Sequence, residues 1–213
     1  MGADIHMYLE FVDSEDWVSS VAKFSLDRNY TIFCLMAGVR SYERSRTIYP
    51  PRGLPEKVGW EADHYNTLYV IDKDTNEEHY TSRETAEGWV ERGISKWVDD
   101  NLQRVTHPDW HSHSWLTAEE FRQVKDTYET LEFPRAVWYQ KEPEMDLAKE
   151  YMLPEGATLT DVAVSFSKDY QSSPYRVEVG PKTKAVFPPR YEALLAALKA
   201  LGENGRIVFW FDN

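Results

Sequence analysis

The stretch ADIHMYLEFV, residues 3–12, alternates strictly between two kinds of side chain. One set of alternate positions is apolar, and the other carries polar or aromatic groups: Ile5, Met7, Leu9 and Phe11 against Asp4, His6, Tyr8 and Glu10. Successive side chains of a strand point to opposite faces, so this pattern predicts a half-buried β-strand. The segment WVSSVAKF, residues 17–24, is expected to return beside it as the second arm of a hairpin.

Two helices are indicated by periodicity and capping signals in the first half of the chain. Asp27 is a suitable N-cap for an apolar helix that Gly38 would end. Thr81 and Glu84 have the spacing of a capping box, and apolar residues at helical spacing follow it as far as Val98. Both helices are therefore expected to bury one face.

A second capping box, Thr117 with Glu120, predicts another helix in the middle of the chain. Residues 107–116, HPDWHSHSWL, are then expected to form the loop that leads into it. The last third of the chain predicts two pairing strands, a helix and a closing strand, at residues 160–168, 175–179, 189–202 and 206–213.

Strands and helices therefore alternate irregularly, with several hairpin-like pairs. This order is typical of the α+β class. We expect a single domain over residues 1–213, with a mixed or mostly antiparallel sheet and three or four packed helices.

Composition restricts the function classes. The chain has 213 residues, of which 42% are hydrophobic, and a formal net charge of −12. Such a charge repels phosphate backbones, which disfavours general nucleic-acid binding and suits a basic protein partner. No apolar run approaches the roughly 20 residues of a membrane-spanning helix. One cysteine, Cys34, fits a reducing cytoplasm.

Four residues have the spacing of metal ligands. Asp4 and His6 lie two apart on the predicted first strand, so their side chains point the same way, and His111 and His113 are also two apart. Nitrogen and carboxylate ligands together suit Zn, Mn, Fe or Ni. The alternative is structural: a solvated or mutually paired Asp4 and His6, and histidines that cap the following helix or bond loop carbonyls.

Two carboxylates are candidates for a catalytic role. Asp109 lies within the histidine-rich segment, and Asp212 lies near the end of the chain. Either is a possible further metal ligand or a general base.

Arginines between residues 28 and 52 predict an anion pocket. Arg28, Arg40 and Arg52 are candidate substrate-binding residues, and tyrosines lie among them in the sequence. Guanidinium groups bind phosphate or carboxylate in a bidentate manner. The alternative is that they pair with some of the 36 acidic side chains. No GxSxG, Walker or GxGxxG motif is present, which argues against a P-loop or Rossmann enzyme.

Motifs spread over nearly the whole chain resemble a family of small bacteriophage proteins that begin Gly-Cys-Asp-Ile-His. The matching segments are GADIHMYLE at 2–10, RNYTIF at 28–33, PRGLP at 51–55, HSHSWLT at 111–117 and VFWFDN at 208–213. Ala3 departs from the pattern, because the family has cysteine there. Residues 66–100 match nothing in the family and are interpreted as an insertion with its own hairpin and helix.

The resemblance implies a phage origin and the cytoplasm of an infected bacterium. It also implies that its polar motifs, including Arg28 with Asn29, belong to a site. The resemblance implies no particular chemistry, and the residues themselves leave two hypotheses open. The first is a divalent-metal-dependent hydrolase that acts on a phosphoester or nucleotide, a small anionic ligand. The second is a non-catalytic acidic factor that binds a host protein or sequesters a small ligand as a counter-defence.

Overall fold

The structure is a computed structural model, and it describes residues 3–14, 17–40, 47–140, 149–152 and 175–212. Its described strands are β1 (Ile5–Ser14), β2 (Trp17–Phe24), β3 (Thr67–Ile71), β4 (Tyr80–Ser82), β5 (Arg104–Thr106), β6 (His111–Thr117), β7 (Glu132–Gln140), β8 (Lys149–Met152), β9 (Tyr175–Lys184) and β10 (Gly205–Phe211). Its described helices are α1 (Tyr30–Ala37), α2 (Trp60–Asn66), α3 (Arg83–Glu91), α4 (Ala118–Thr130) and α5 (Pro189–Ala200), with a 3₁₀ turn at Gly202–Asn204. The α+β prediction is confirmed.

The chain divides into two compact units. The first comprises Met1–Asn29, Tyr49–Arg122 and Pro189–Asn213, and the second comprises Tyr30–Ile48 and Gln123–Pro188. The single-domain assignment over the whole chain stays a prediction. Among the described residues, no helix combines the length and the apolar character needed to cross a bilayer.

An antiparallel four-stranded sheet organises the first unit, in the order β2-β1-β10-β6. Strand β1 pairs with β2, so the predicted hairpin is confirmed. It also pairs along its length with β10, from Ile5 opposite Phe211 to Phe11 opposite Gly205. The beginning and the end of the chain therefore lie side by side at the centre of the sheet.

Strand β1 is buried on both faces, so the prediction of a half-buried strand is wrong. Tyr8 and Glu10, on the face predicted to be polar, are 2% and 0% exposed. Helix α2 and the segment before it cover this face. The Glu10 carboxylate accepts hydrogen bonds from Gly59 N–H at 2.7 Å and from Arg206 Nε at 2.9 Å. Burial raises the pKa of Glu10 above its usual value, and these two donors oppose that shift.

The two edges of this sheet are protected in different ways. At β6, Gly53 N–H donates to His113 O at 2.9 Å, and Arg52 Nε donates to Trp115 O at 3.0 Å. The Pro-Arg-Gly-Leu-Pro loop thus blocks this edge. At β2, the pairing with β1 is interrupted by two register shifts, and the strand carries Lys23. Bulges and lysines are common devices against edge-to-edge association.

A smaller mixed sheet, in the order β4-β3-β5, corrects the interpretation of residues 66–100. Strand β4 runs parallel to β3, so these strands do not form the expected hairpin. Helix α3 is present, but Ser82 rather than Thr81 caps it, by accepting from Thr85 N–H. It ends at Glu91, before the left-handed Gly93, and not at Val98. The insertion itself stays a prediction.

The second unit contains α1 and the antiparallel sheet β8-β7-β9. Helix α1 begins at Tyr30 and buries Ile32 to Ala37, and the left-handed Gly38 follows it as predicted. Asp27, in the first unit, lies too early to cap α1, and its carboxylate pairs with Arg190 at 3.2 Å. The strand predicted at 160–168 lies outside the described residues.

Candidate functional site

One face of the four-stranded sheet collects four of the ten predicted site residues, namely Asp4, His6, His113 and Asp212. Cross-strand partners share a face, and alternate residues of one strand share it too. Register places His6 opposite Trp210. We call this surface the histidine face; it carries Asp4, His6, Tyr8, Trp210, Asp212 and His113. The prediction that Asp4 and His6 point the same way is confirmed.

His6 and Asp212 form a hydrogen-bonded pair on this face. His6 Nε2 lies 3.0 Å from Asp212 Oδ2, and the two side chains are 25% and 28% exposed. The other carboxylate oxygen, Oδ1, accepts from Asp4 N–H at 2.9 Å. Asp212 N–H donates to Asp4 O at 3.2 Å in return. The backbone pairing of β1 and β10 thus fixes the carboxylate that orients the imidazole.

Asp4 is held by Arg28 through a bidentate ion pair. Arg28 Nε lies 2.5 Å from Asp4 Oδ1, and Nη2 lies 2.6 Å from Oδ2. Hydrogen bonding and the charge of the guanidinium lower the pKa of Asp4. Both side chains are about half exposed, at 53% and 50%. Asp4 is therefore an ionised carboxylate close to the His6–Asp212 pair.

Aromatic rings form the wall beside His6. The Trp110 ring lies 4.5 Å from the His6 ring, and its Nε1–H donates to Tyr65 O at 2.7 Å. His107 stacks on Trp110 at 4.2 Å. Burial lowers the pKa of His107, which keeps this imidazole neutral near pH 7. Neither His107 nor Trp110 is among the predicted site residues, because no local sequence pattern indicates that they lie near His6.

His111 and His113 lie on opposite faces of β6, which corrects their predicted convergence. Residues 111–117 form a strand rather than a loop, and Ser112 within it has a left-handed φ of 52°. His111 pairs with Phe211 and stacks against it at 6.1 Å. His113 instead stacks on Trp210, also at 6.1 Å. Phe211 and Trp210 are adjacent in β10 and so point to opposite faces.

His113 is a half-buried, neutral residue of the histidine face. Its Nε2 lies 2.6 Å from Asn66 Oδ1, while Asn66 Nδ2 donates to Ala62 O at 2.9 Å. This assigns the proton to His113 Nε2, because Asn66 Oδ1 is an acceptor only. Burial lowers the pKa of His113 to about 4. On the other face, His111 Nδ1 lies 2.9 Å from Ser112 Oγ.

The four predicted metal ligands are therefore not all brought together, because His111 faces away from His6. Within the part of the chain that the structure describes, no three His, Cys, Asp or Glu side chains are placed to hold a metal ion. A divalent metal at Asp4 and His6 stays a prediction. Ala3, where the family resemblance expects cysteine, is fully buried.

The predicted anion pocket is not assembled from Arg28 and Arg52, because both pair with carboxylates. Arg52 Nη2 lies 2.6 Å from Glu120 Oε2, and its guanidinium stacks on Trp115 at 3.8 Å. The alternative of acid–base pairing is confirmed for these two arginines. Exposed Arg40 follows α1 in the second unit, with a left-handed φ of 53°.

Two further predicted residues, Asn29 and Asp109, make no hydrogen bond to His6 or Asp212 among the described residues. Asn29 immediately precedes α1. Asp109 is exposed, and its backbone N–H donates to His107 Nδ1 at 3.3 Å. The other arginines between residues 28 and 52, which are Arg44 and Arg46, lie outside the described residues.

Comparisons with family models, with curated proteins and with solved structures found no match to this chain. The resemblance to phage proteins therefore stays a prediction, and function rests on the geometry of the site.

Proposed function

We propose that His6 is a general base, oriented by Asp212, in an intracellular phage hydrolase that acts on a phosphoester or nucleotide. The observation that carries this proposal is the 3.0 Å contact between His6 Nε2 and an Asp212 carboxylate that Asp4 N–H holds in place. A carboxylate in this position fixes the imidazole tautomer and stabilises the imidazolium that forms during proton transfer.

The tautomer assigns a direction to the proton transfer. Asp212 Oδ2 accepts a hydrogen bond from the His6 Nε2–H, so Nδ1 of His6 carries the lone pair. No described residue hydrogen-bonds to Nδ1. In the proposed reaction Nδ1 takes a proton from water, the resulting hydroxide oxygen bonds to phosphorus, and the bond to the leaving oxygen breaks. The imidazolium then returns its proton to that leaving oxygen.

The aromatic wall supports a substrate with a planar group. Trp110 and His107 lie beside the base, and a nucleobase has a flat face of the kind that stacks on such rings. Arg28 is already paired with Asp4, so positive charge at the phosphate would come from a divalent ion (Zn, Mn, Fe or Ni), which Asp4 would hold while His6 remains free to act as the base.

The test is hydrolysis of p-nitrophenyl phosphate, bis(p-nitrophenyl) phosphate and nucleoside triphosphates, each with added divalent ions or with chelator. We expect Asp212→Asn to lower kcat by roughly 10²- to 10⁴-fold, because the amide would favour the wrong imidazole tautomer. Asp74→Asn, which changes an exposed carboxylate in the turn after β3, is the matched control and should retain full activity. Equal activity in Asp212→Asn and the native protein would exclude the dyad.

The second candidate is a non-catalytic acidic factor that binds a host protein. Its support is the excess of 36 acidic over 24 basic side chains, together with Trp60, which is 67% exposed. Charge complementarity steers association, and exposed tryptophans are common interface anchors. This candidate predicts no hydrolysis of any substrate tested.

A further inference from the structure

A second aromatic surface surrounds the start of α2 and does not include His6 or Asp212. We call it the Trp60 patch and define it as Trp60, His64, Tyr69, His79 and Tyr80. The Trp60 ring stacks on the His64 ring, at 4.9 Å and with 9° between the ring planes. Although Trp60 is 67% exposed, one of its faces is thus held against a neighbour four residues along the helix.

The patch continues from α2 onto the smaller sheet. His64 lies 4.3 Å from His79 and 6.2 Å from Tyr69, and Tyr69 lies 5.8 Å from Tyr80, which is 42% exposed. His79 holds its position with a left-handed φ of 67°, and its carbonyl accepts from Tyr69 N–H at 2.8 Å. Segments that are distant in sequence therefore form one contiguous ring surface. Exposed, preorganised apolar surfaces of this kind mark binding sites.

Cations already lie over rings that border this surface. Lys23 Nζ lies 4.7 Å from the centre of the Tyr65 ring, and Tyr65 contacts both His64 and His79. The Arg104 guanidinium lies 5.6 Å from the centre of the Tyr69 ring. The faces of aromatic rings attract cations through their quadrupole. The exposed face of Trp60 has the same electronic character, and tryptophan is the strongest ring for this interaction.

Carboxylates around the patch have the sign that a cation requires, and the bordering Arg104 is already paired with Asp63. Glu61 follows Trp60 in α2, and the exposed Glu77 and Glu78 precede His79. Glu78 Oε1 lies 3.8 Å from His79 Nε2. Burial and the neighbouring His79 lower the pKa of His64, so this ring is neutral near pH 7 and does not repel a cation. The positive end of the short α2 opposes cation binding, but Glu61 and Asp63 in its first turn offset it.

We propose that the Trp60 patch is a docking site for a basic segment of a partner protein, with an arginine guanidinium stacked on the exposed face of Trp60. Arginine is favoured over lysine because its planar group stacks on a ring while its N–H groups reach carboxylates such as Glu61 or Glu78. A phosphate-bearing polymer does not fit, because these carboxylates would repel it. This inference is independent of the hydrolase proposal.

The experiment measures binding of a short, fluorescently labelled peptide of alternating arginine and glycine by anisotropy. We expect saturable binding that Trp60→Ala weakens by roughly threefold to thirtyfold. Trp17→Ala is the matched control: Trp17 is equally exposed, but its described contact is with Ser19 on β2, and its removal should leave the affinity unchanged. Both tryptophans are exposed, so both variants should retain the native circular dichroism and melting temperature.

Further arms separate this proposal from its competitors. A lysine–glycine peptide should bind more weakly than the arginine peptide at equal charge, and Asp212→Asn should bind both as the native protein does. Equal losses in Trp60→Ala and Trp17→Ala, or none in either, would overturn the proposal. So would saturable binding of a neutral oligosaccharide or a nucleoside at Trp60 in place of the peptide, or self-association that Trp60→Ala abolishes.

Discussion

At Ser112, a single backbone angle decides which histidines share a site. Its φ of 52° accompanies a shift in the pairing of β6 with β10, between Phe209 and Phe211. The shift sends His111 to the face of Phe211 and His113 to the face of Trp210. In a regular strand these histidines would point the same way. The bulge removes one predicted ligand from the surface that holds His6.

His113 gives a prediction at the same scale. Its pKa is about 4 in the folded protein and 6.5 for the unperturbed side chain. Between pH 6.5 and about pH 4, His113 is protonated in the unfolded chain but neutral in the folded protein. The contribution of His113 to the free energy of unfolding is therefore fully present above pH 6.5 and is lost as the pH falls towards 4. This loss amounts to at most about 3 kcal/mol.

The measurement is urea denaturation at pH 7.5 and at pH 4.5, for the native protein and His113→Gln. Glutamine can donate to Asn66 Oδ1 but does not titrate, so the difference in unfolding free energy between the two pH values should be smaller in the variant. Some dependence should remain, because the pKa values of His64 and His107 are also lowered. An unchanged difference would show that His113 titrates normally.

At the scale of elements, α2 converts a strand with one polar face into a strand buried on both. The helix follows Gly59, whose N–H bonds Glu10, and Ala62 of α2 packs with Tyr8, Val208 and Trp210. Close approach requires glycine at this position, because a Cβ on Gly59 would lie 2.2 Å from Ser20 Oγ and 3.0 Å from Ser20 N.

Gly59→Ala is therefore expected to destabilise the protein by about 1–3 kcal/mol, since α2 must move away from β2. The same change in a Ser20→Ala background should cost less, because the nearest clashing atom is absent. Ser20 Oγ has no hydrogen-bond partner among the described residues, so its removal alone should be mild. Thermal melts of the variants test this, with Gly88→Ala in α3 as the tolerated control. A full cost in the Ser20→Ala background would place the clash elsewhere.

At the scale of the whole molecule, charge imbalance dominates the electrostatics. The chain carries 36 acidic and 24 basic side chains, a net charge of −12. Such an excess repels itself in the compact state, and salt screens that repulsion. Exposed ion pairs, such as Arg83 with Asp72, are individually weak and lose little on screening.

Raising NaCl from about 0.01 M to about 0.5 M, which shortens the screening length from roughly 30 Å to a few ångströms, should therefore raise the melting temperature. An increase of about 2–4 °C corresponds to roughly 1 kcal/mol in a protein of this size. Calorimetry at fixed pH measures the change, and glucose at equal osmolality controls for effects unrelated to charge. A lower melting temperature in salt would mean that ion pairs outweigh the net repulsion.

Local patterns in the sequence determined several elements by themselves. Alternation at residues 3–12 predicts β1, and the following segment predicts its hairpin partner β2. Thr117 and Glu120 predict the start of α4, where Thr117 N–H donates to Glu120 Oε2 at 2.9 Å and Glu120 N–H to Thr117 Oγ1 at 3.3 Å. These signals are readable because periodicity and capping involve residues only a few positions apart.

Tertiary structure alone decided the site. His6 and Asp212 are 206 positions apart, and only the register of β1 against β10 brings them within hydrogen-bonding distance. The same long-range packing buries Glu10 and carries Trp110 to His6, while one bulge turns His111 away. Side-chain chemistry marked His6 and Asp212 as candidates. Their pairing depends on strand register and covering helices, which no local pattern encodes.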